Sequence, residues 1–391
     1  MRRHRSFYAA SLALAFTMVG TLWSPPTKAD PPKAPTFKVD PFWPKPLPHN
    51  WVTGEVGGTC IDSQDHVFIV TRGFQTGGLV SPEGVAGRPE RSTASPPAIE
   101  FDPDGSVVNA WGDSSIVQTG PNAGKNAALP HGIHGCFVDY QDNVWIAGNG
   151  DGVVQKYSHD GSTLLLQIGT KFVCDDGTAT GGACGNVGLE GSSKTLLNDP
   201  ADVAVDPANG DVYIADGYGN HRVVVFDKSG TYLRQMGGVG TGLGQFTAGD
   251  GGHPHCVVLG KDGLVYACDR GQDRINVYRK DGTPVKEISV VPGTAALGTA
   301  GSAWDVDFSP DHSQTFMYES DGGNEVMWIF NRAAALAGLP DALLAGFGRP
   351  GHMAGDFTFL HMMAIDSSGN LYTGETIGGR RVQKFTVHRG D

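Results

Sequence analysis

The sequence predicts an all-β protein arranged as a six-bladed β-propeller. Three observations predict it. Glycine and proline are abundant, 57 and 24 of 391 residues, and long helical periodicity is nearly absent. Six units of roughly forty to fifty residues recur, each made of short apolar, β-branched runs separated by turns rich in Asp, Gly and Asn. The last unit shows only three strands, and an apolar stretch near the N-terminus can supply the fourth. Such a strand would join the two ends of the ring and leave no free sheet edge.

In chain order, residues 1–29 read as a signal peptide. Arg2, Arg3 and Arg5 precede an apolar stretch over 7–23, and Thr27-Lys28-Ala29 resembles a cleavage signal. Residues 30–50 are a Pro-rich lead-in that contains the closing strand Phe37-Lys38-Val39. The propeller occupies 51–391. Its first unit starts at Gly57 and is interrupted by an insertion over 73–97; the second runs from His134, the third from Ala201 and the fourth from His255. The fifth starts at Trp304 and contains an Ala/Leu-rich stretch, 333–345, that reads as a helical excursion. The sixth starts at His361. Further long insertions, 113–130 and 170–199, suit either a lid or a partner-binding surface.

The formal net charge of -12 excludes a basic nucleic-acid footprint, and removal of the signal would leave the chain more acidic still. The apolar N-terminal run is short for a membrane span, so the mature chain is expected to be a soluble periplasmic or secreted monomer with no membrane association. Export permits disulfides among the six cysteines. Cys174 and Cys184 bracket a Gly-rich loop and are expected to pair. Cys256 and Cys268 face each other across a hairpin, bonded or free. Cys60 and Cys136 lie on inner strands and read as small buried apolar residues. No Cys-x-x-Cys occurs, which argues against a thiolate zinc site.

The chemistry is concentrated in one register. Each unit can be aligned on the residue that opens its first turn: Asp62, Asp139, Asp206, Gly260, Ser309 and Asp366. Five residues earlier stand Gly57, His134, Ala201, His255, Trp304 and His361. Inner strands of a propeller surround one axis, so equivalent positions face a common channel. His134, His255 and His361 would then alternate around it. Three imidazoles on one axis suit a divalent ion such as zinc, with a position left for water or substrate. His131 competes with His134 for this place, but turn spacing favours His134. His253 is out of register and reads as a supporting or loop residue. Arg72, Tyr218 and Arg270 follow the second strands of units one, three and four, on the channel-mouth side. An arginine can capture a carboxylate bidentately, and a tyrosine beside a cation and a metal can act as a base.

These residues resemble the catalytic core of peptidyl-α-hydroxyglycine α-amidating lyase, a six-bladed propeller of NHL-repeat type. The best stretches are Pro200-Ala201-Asp202-Val203-Ala204-Val205-Asp206-Pro207, Tyr213-Ile214-Ala215-Asp216-Gly217-Tyr218-Gly219-Asn220-His221-Arg222, Gly244-Gln245-Phe246, and Pro254-His255 with Asp269-Arg270. The resemblance spans about residues 51–385. It implies a zinc ion on His134, His255 and His361, a catalytic Tyr218, and substrate-handling arginines at Arg72 and Arg270. The implied reaction splits a carbinolamide bearing a carboxylate into an amide and glyoxylate, without a redox cofactor. Two departures stand out. Met362 follows His361 where the animal lyases have an Asp that helps bind structural calcium, which puts that calcium in doubt. Gly219 replaces the cysteine that follows the tyrosine. A lactonase-like metal hydrolase and a non-enzymatic NHL scaffold are the alternatives; the hydrolase usually binds calcium through acidic and Asn ligands rather than histidine.

Overall fold

In blades 1, 2 and 6 the turn that opens the repeat is held by the carboxylate at the aligned position. Asp62 Oδ1 accepts the backbone N–H groups of Gln64 and His66, both at 2.8 Å. Asp139 does the same for Gln141 and Asn143 at 2.9 and 3.0 Å, and Asp366 for Ser368 and Asn370 at 3.0 and 2.8 Å. A short acidic side chain that caps the N–H groups two and four residues on closes a tight hairpin. That is why the repeats share a register. In a computed structural model of the chain, the described residues are 31–73, 92–112, 129–174, 193–248, 251–293 and 301–388, with the backbone of 179–180 and 183–184. The expected signal peptide, most of the insertions 73–97 and 113–130, part of 170–199 and the side chain of Cys184 lie outside them. Cys174 is disulfide-bonded.

Six four-stranded antiparallel sheets form the blades. Blade 1 consists of Val56–Ile61, Val67–Thr71, Ala98–Phe101 and Val107–Trp111. Blade 2 consists of Ile133–Val138, Val144–Gly148, Val153–Tyr157 and Leu164–Gly169. Blades 3 and 4 start with Asp202–Val205 and Val257–Leu259 and repeat the plan. Blade 5 starts with Asp305–Phe308. Its Ala/Leu-rich stretch is helical only over Arg332–Ala337; Leu343–Phe347 returns as the outer strand, because Gly338 in the left-handed conformation stops the helix. Blade 6 consists of Leu360–Ile365, Leu371–Glu375 and Arg381–His388, and its fourth strand is Thr36–Asp40. The pairing Phe37↔Val387 through Asp40↔Lys384 closes the ring. Phe37 also stacks on Phe347 of blade 5, with ring centroids 5.0 Å apart.

The core is divided among the interfaces between neighbouring blades. Phe68, Val70, Ile133 and Ile146 join blade 1 to blade 2, and Trp145, Val154, Val203 and Ile214 join blade 2 to blade 3. The same arrangement continues round the ring to Ile69, Phe101, Tyr372 and Val382, which join blade 1 to blade 6. Fully burying each of these side chains contributes about 1.5–3 kcal/mol, and no blade can bury its faces alone. One sequence expectation is corrected here. Cys60 and Cys136 are not free apolar residues but a disulfide, with Cα atoms 5.7 Å apart. The innermost strands of blades 1 and 2 approach closely because Gly57 and Gly58 have no side chains: a Cβ on Gly58 would lie 2.7 Å from Cys136 N and from His134 O. Cys256 and Cys268 are bonded within blade 4. Among the described residues no helix is long and apolar enough to cross a membrane.

Candidate metal centre

His134 and His361 are each second in the inner strands of blades 2 and 6, and His255 sits two residues before that of blade 4. All three are buried. Their rings form a nearly equilateral triangle, with centroid separations of 4.9, 4.7 and 4.9 Å. One ring nitrogen from each lies within 4.8 Å of the other two.

The orientation of each ring is set by the intervening blade. His134 Nδ1 is 2.7 Å from the Ala201 carbonyl oxygen, His255 Nδ1 is 2.7 Å from that of Trp304, and His361 Nδ1 is 2.8 Å from that of Gly57. A carbonyl only accepts, so each Nδ1 carries the hydrogen and each Nε2 keeps its lone pair for the axis. Burial, above all, holds the three imidazoles well below the usual histidine range. For His134 the effects of His361, Arg72 and Arg270 add to it; for His255 those of Arg270, His134 and His361; for His361 those of Arg72 and Arg270. The neutral form is the one that ligates metal. The Nε2 of His255 is buried without a hydrogen-bond partner. Leaving such a group unsatisfied costs about 1–3 kcal/mol, so the donor set fits an ion at the centre of the triangle.

Tyr218 and Arg270 border the triangle. The Tyr218 hydroxyl is 3.3 Å from His134 Nε2 and also 3.3 Å from Arg270 Nη2, which donates to it. Arg270 is further held by the Gly251 carbonyl through Nε at 2.7 Å. Its guanidinium lies over the Trp304 ring, 4.2 Å from the centroid. Arg72 reaches the same side, where Nε donates to the Ile133 carbonyl at 2.6 Å and Nη1 pairs with Glu55 at 3.3 Å. Glu55 also faces Arg380, at 3.6 Å. Two participants carried little signal in the sequence. Trp304 stood in the aligned register without a role; it is the platform for Arg270 and contacts His255 and His361 at centroid distances of 5.5 and 5.9 Å. Glu55 precedes the repeat register, and nothing in its spacing marks it.

His131 stays apart from the triangle, its backbone N–H bonded to Asp151. His253 supports rather than ligates: its Nδ1 accepts the Gly271 N–H at 3.2 Å, and burial with the Arg270 charge pushes its pKa down to about 3. Further along the inner strands, the channel holds a cavity of about 120 Å³ lined in part by Asp202, Asp305 and Asp307. Burial raises the pKa of all three carboxyls.

Residues 197–226 match the NHL repeat. The match covers the first three strands of the third blade. Over 365 residues the chain is 27% identical to human NHL repeat-containing protein 3, covering 89% of this chain and 84% of that one. It is 27% identical to peptidyl-glycine alpha-amidating monooxygenase B of Xenopus laevis over 76% of this chain, which spans 32% of that longer protein. Over 39% of the chain it is 25% identical to a probable peptidyl-alpha-hydroxyglycine alpha-amidating lyase of Caenorhabditis elegans, covering 38% of it. In fold it resembles a streptogramin B lyase structure, at a TM-score of 0.51, 10% identity and coverage of 90% of this chain and 98% of that one. The NHL propeller and the likeness to amidating enzymes expected from the sequence are therefore both found.

Proposed function

We propose that the chain is a zinc-dependent lyase that cleaves the C–N bond of an α-hydroxyglycine-type carbinolamide, giving an amide and glyoxylate. The observation that carries this reading is the triangle of imidazoles with tautomers set by backbone carbonyls, beside a tyrosine hydroxyl 3.3 Å from one of its Nε2 atoms. His134, His255 and His361 would hold the ion, which when bound supplies a Lewis acid for a substrate oxygen.

The chain's own residues account for the rest. Arg270 and Arg72 flank the triangle and offer guanidinium donors to the substrate carboxylate. Arg270 also donates to the phenol oxygen, where it would favour negative charge on Tyr218. Tyr218 as phenolate takes the proton of the carbinol hydroxyl. The C=O bond of glyoxylate forms as the C–N bond breaks, and the same proton returns to the departing amide nitrogen. Atoms and charge balance, and no oxidant is needed. Trp304 keeps Arg270 in place by covering one face of its guanidinium.

The disulfides Cys60–Cys136 and Cys256–Cys268 suit an oxidising compartment, in line with an exported protein. The test is direct. Purified protein is expected to contain zinc on this site and to release glyoxylate from α-hydroxyhippurate. His255→Ala is expected to lose that zinc and drop activity to background. No glyoxylate from a panel of N-acyl-α-hydroxyglycines, with zinc bound, would remove the lyase reading and leave a metal enzyme of another kind.

A further inference from the structure

A second cluster of metal-ligand side chains lies at the other end of the inner strands, where blade 1 meets blade 2. Asp62, His66 and Glu100 each place one ligand atom within 4.8 Å of the others. His66 Nδ1 is 2.6 Å from Glu100 Oε1 and 3.9 Å from Asp62 Oδ2. From the outer turn of blade 2, His159 Nε2 comes within 2.9 Å of the same Asp62 Oδ2. The two carboxylates are buried, whereas the imidazoles are 24% and 32% exposed, which leaves a path for an ion or a water.

The other blades show what this position ordinarily requires. The turn aspartate uses Oδ1 to cap its own hairpin and must find a partner for Oδ2, which in blade 6 is the neutral pair Asn370 and Tyr372 and in blades 2 and 3 a lysine. In blade 2, Asp139 Oδ2 is paired with Lys156 of the third strand at 2.9 Å. In blade 3, Asp206 Oδ2 is paired with Lys280, from the outer turn of blade 4, at 2.5 Å. Blade 1 has neither lysine. The strand pairing Phe68↔Glu100 matches Trp145↔Lys156, so a second carboxylate stands where the lysine would be. His159 follows Tyr157 by the spacing with which Lys280 follows Tyr278, so an imidazole stands where the other lysine would be. His66 takes the place of Asn143. Both ammonium groups are replaced, and all three replacements are metal ligands. Two buried carboxylates this close repel each other unless a cation lies between them.

We propose that Asp62, His66, Glu100 and His159 form a second divalent-cation site, of zinc type, that fastens blade 1 to blade 2. The donors would be Asp62 Oδ2, Glu100 Oε1, His66 Nδ1 and His159 Nε2. Two imidazole nitrogens and two carboxylate oxygens suit tetrahedral zinc, whose ligand atoms stand about 3.3 Å apart. The observed spacings of 2.6, 2.9 and 3.9 Å bracket that value. The role is structural: the cluster lies at the turn end of the inner strands, away from Tyr218 and Arg270.

Zinc content of the stripped, reloaded and gel-filtered full chain tests this. Wild type is expected to hold two zinc ions per chain, Glu100→Gln one, His255→Ala one, and the double variant none. In the His255→Ala background, zinc at a hundredfold excess over its Kd should raise the Tm by about 3–4 °C. Adding Glu100→Lys, which restores the ion pair of blade 2, should give a folded protein whose Tm no longer responds to zinc. One zinc in wild type that persists in Glu100→Gln and disappears in His255→Ala overturns the second site. One zinc that disappears only in Glu100→Gln upholds it and instead removes the axial metal centre.

Discussion

Blades 2, 4 and 6 present imidazoles to the propeller axis, while blades 1, 3 and 5 present Gly57, Ala201 and Trp304 at the equivalent places. The even blades supply the candidate ligands. The odd blades supply the carbonyl oxygens that accept their Nδ1–H groups, at 2.7 to 2.8 Å. Metal affinity in such a centre depends on both sets, since an imidazole free to rotate must be ordered again when it binds. The comparison teaches that three histidines in a repeat register are only half of the site. The residues between them orient the imidazoles through backbone atoms rather than through their side chains.

The largest effect is expected where chemistry is proposed, at the tyrosine that blade 3 brings to His134. Tyr218→Phe keeps the ring but removes the hydroxyl near His134, and kcat for glyoxylate release should fall about 10²–10⁴-fold with zinc content unchanged. Loss of zinc in this variant would show that the phenol is a ligand rather than a base. The next effect tests the odd side. A Cβ on Gly57 would meet the Ile133 carbonyl oxygen at 2.6 Å and must displace the strand whose own carbonyl orients His361. Gly57→Ala should therefore weaken zinc binding about 10–100-fold in chelator competition, although no ligand is removed. An unchanged affinity would mean that the carbonyls of the odd blades are dispensable.

Trp304→Leu separates the two contributions of one odd blade. Its carbonyl remains for His255 while the ring beneath Arg270 is lost. Zinc stoichiometry should hold and KM should rise about 2- to 30-fold, the range of one cation–π contact. The smallest effect lies deeper in the channel. Burial raises the Asp202 pKa above its unfolded value, so ionising it in the folded state is unfavourable and the penalty grows with pH above the ordinary carboxylate range. Asp202→Asn should accordingly raise the Tm of the metal-free protein more at pH 8 than at pH 5. An equal gain at both values would show that the folded-state pKa of Asp202 is not raised or that packing dominates.

Much of the architecture was legible because the repeat is enforced locally. In blades 1, 2 and 6 an aspartate caps its own turn at the second and fourth residues, and the spacing of that turn, kept in blade 4 around Gly260, placed His134, His255 and His361 at one level. The strand Thr36–Asp40 was readable for a related reason: the sixth unit lacked its fourth strand, and an apolar segment stood ready at the other end of the chain. The Cys60–Cys136 bond was not readable. Its partners lie on different blades at slightly different positions relative to their turns, and only the close approach permitted by Gly57 and Gly58 brings them together. The platform role of Trp304 and the pairing of Glu55 with Arg380 were hidden likewise, since both depend on which blades are neighbours.

The sequence by itself determined the number of blades, the level at which the histidines stand and the residue types available for chemistry. These follow from hairpin turns and strand periodicity, which involve residues a few positions apart. Only the tertiary structure decided which nitrogen of each imidazole faces the axis, which cysteines bond, and that His159 of blade 2 meets Asp62 of blade 1. Those outcomes depend on contacts between blades, where residues about seventy to three hundred positions apart are brought within hydrogen-bond distance by closure of the ring.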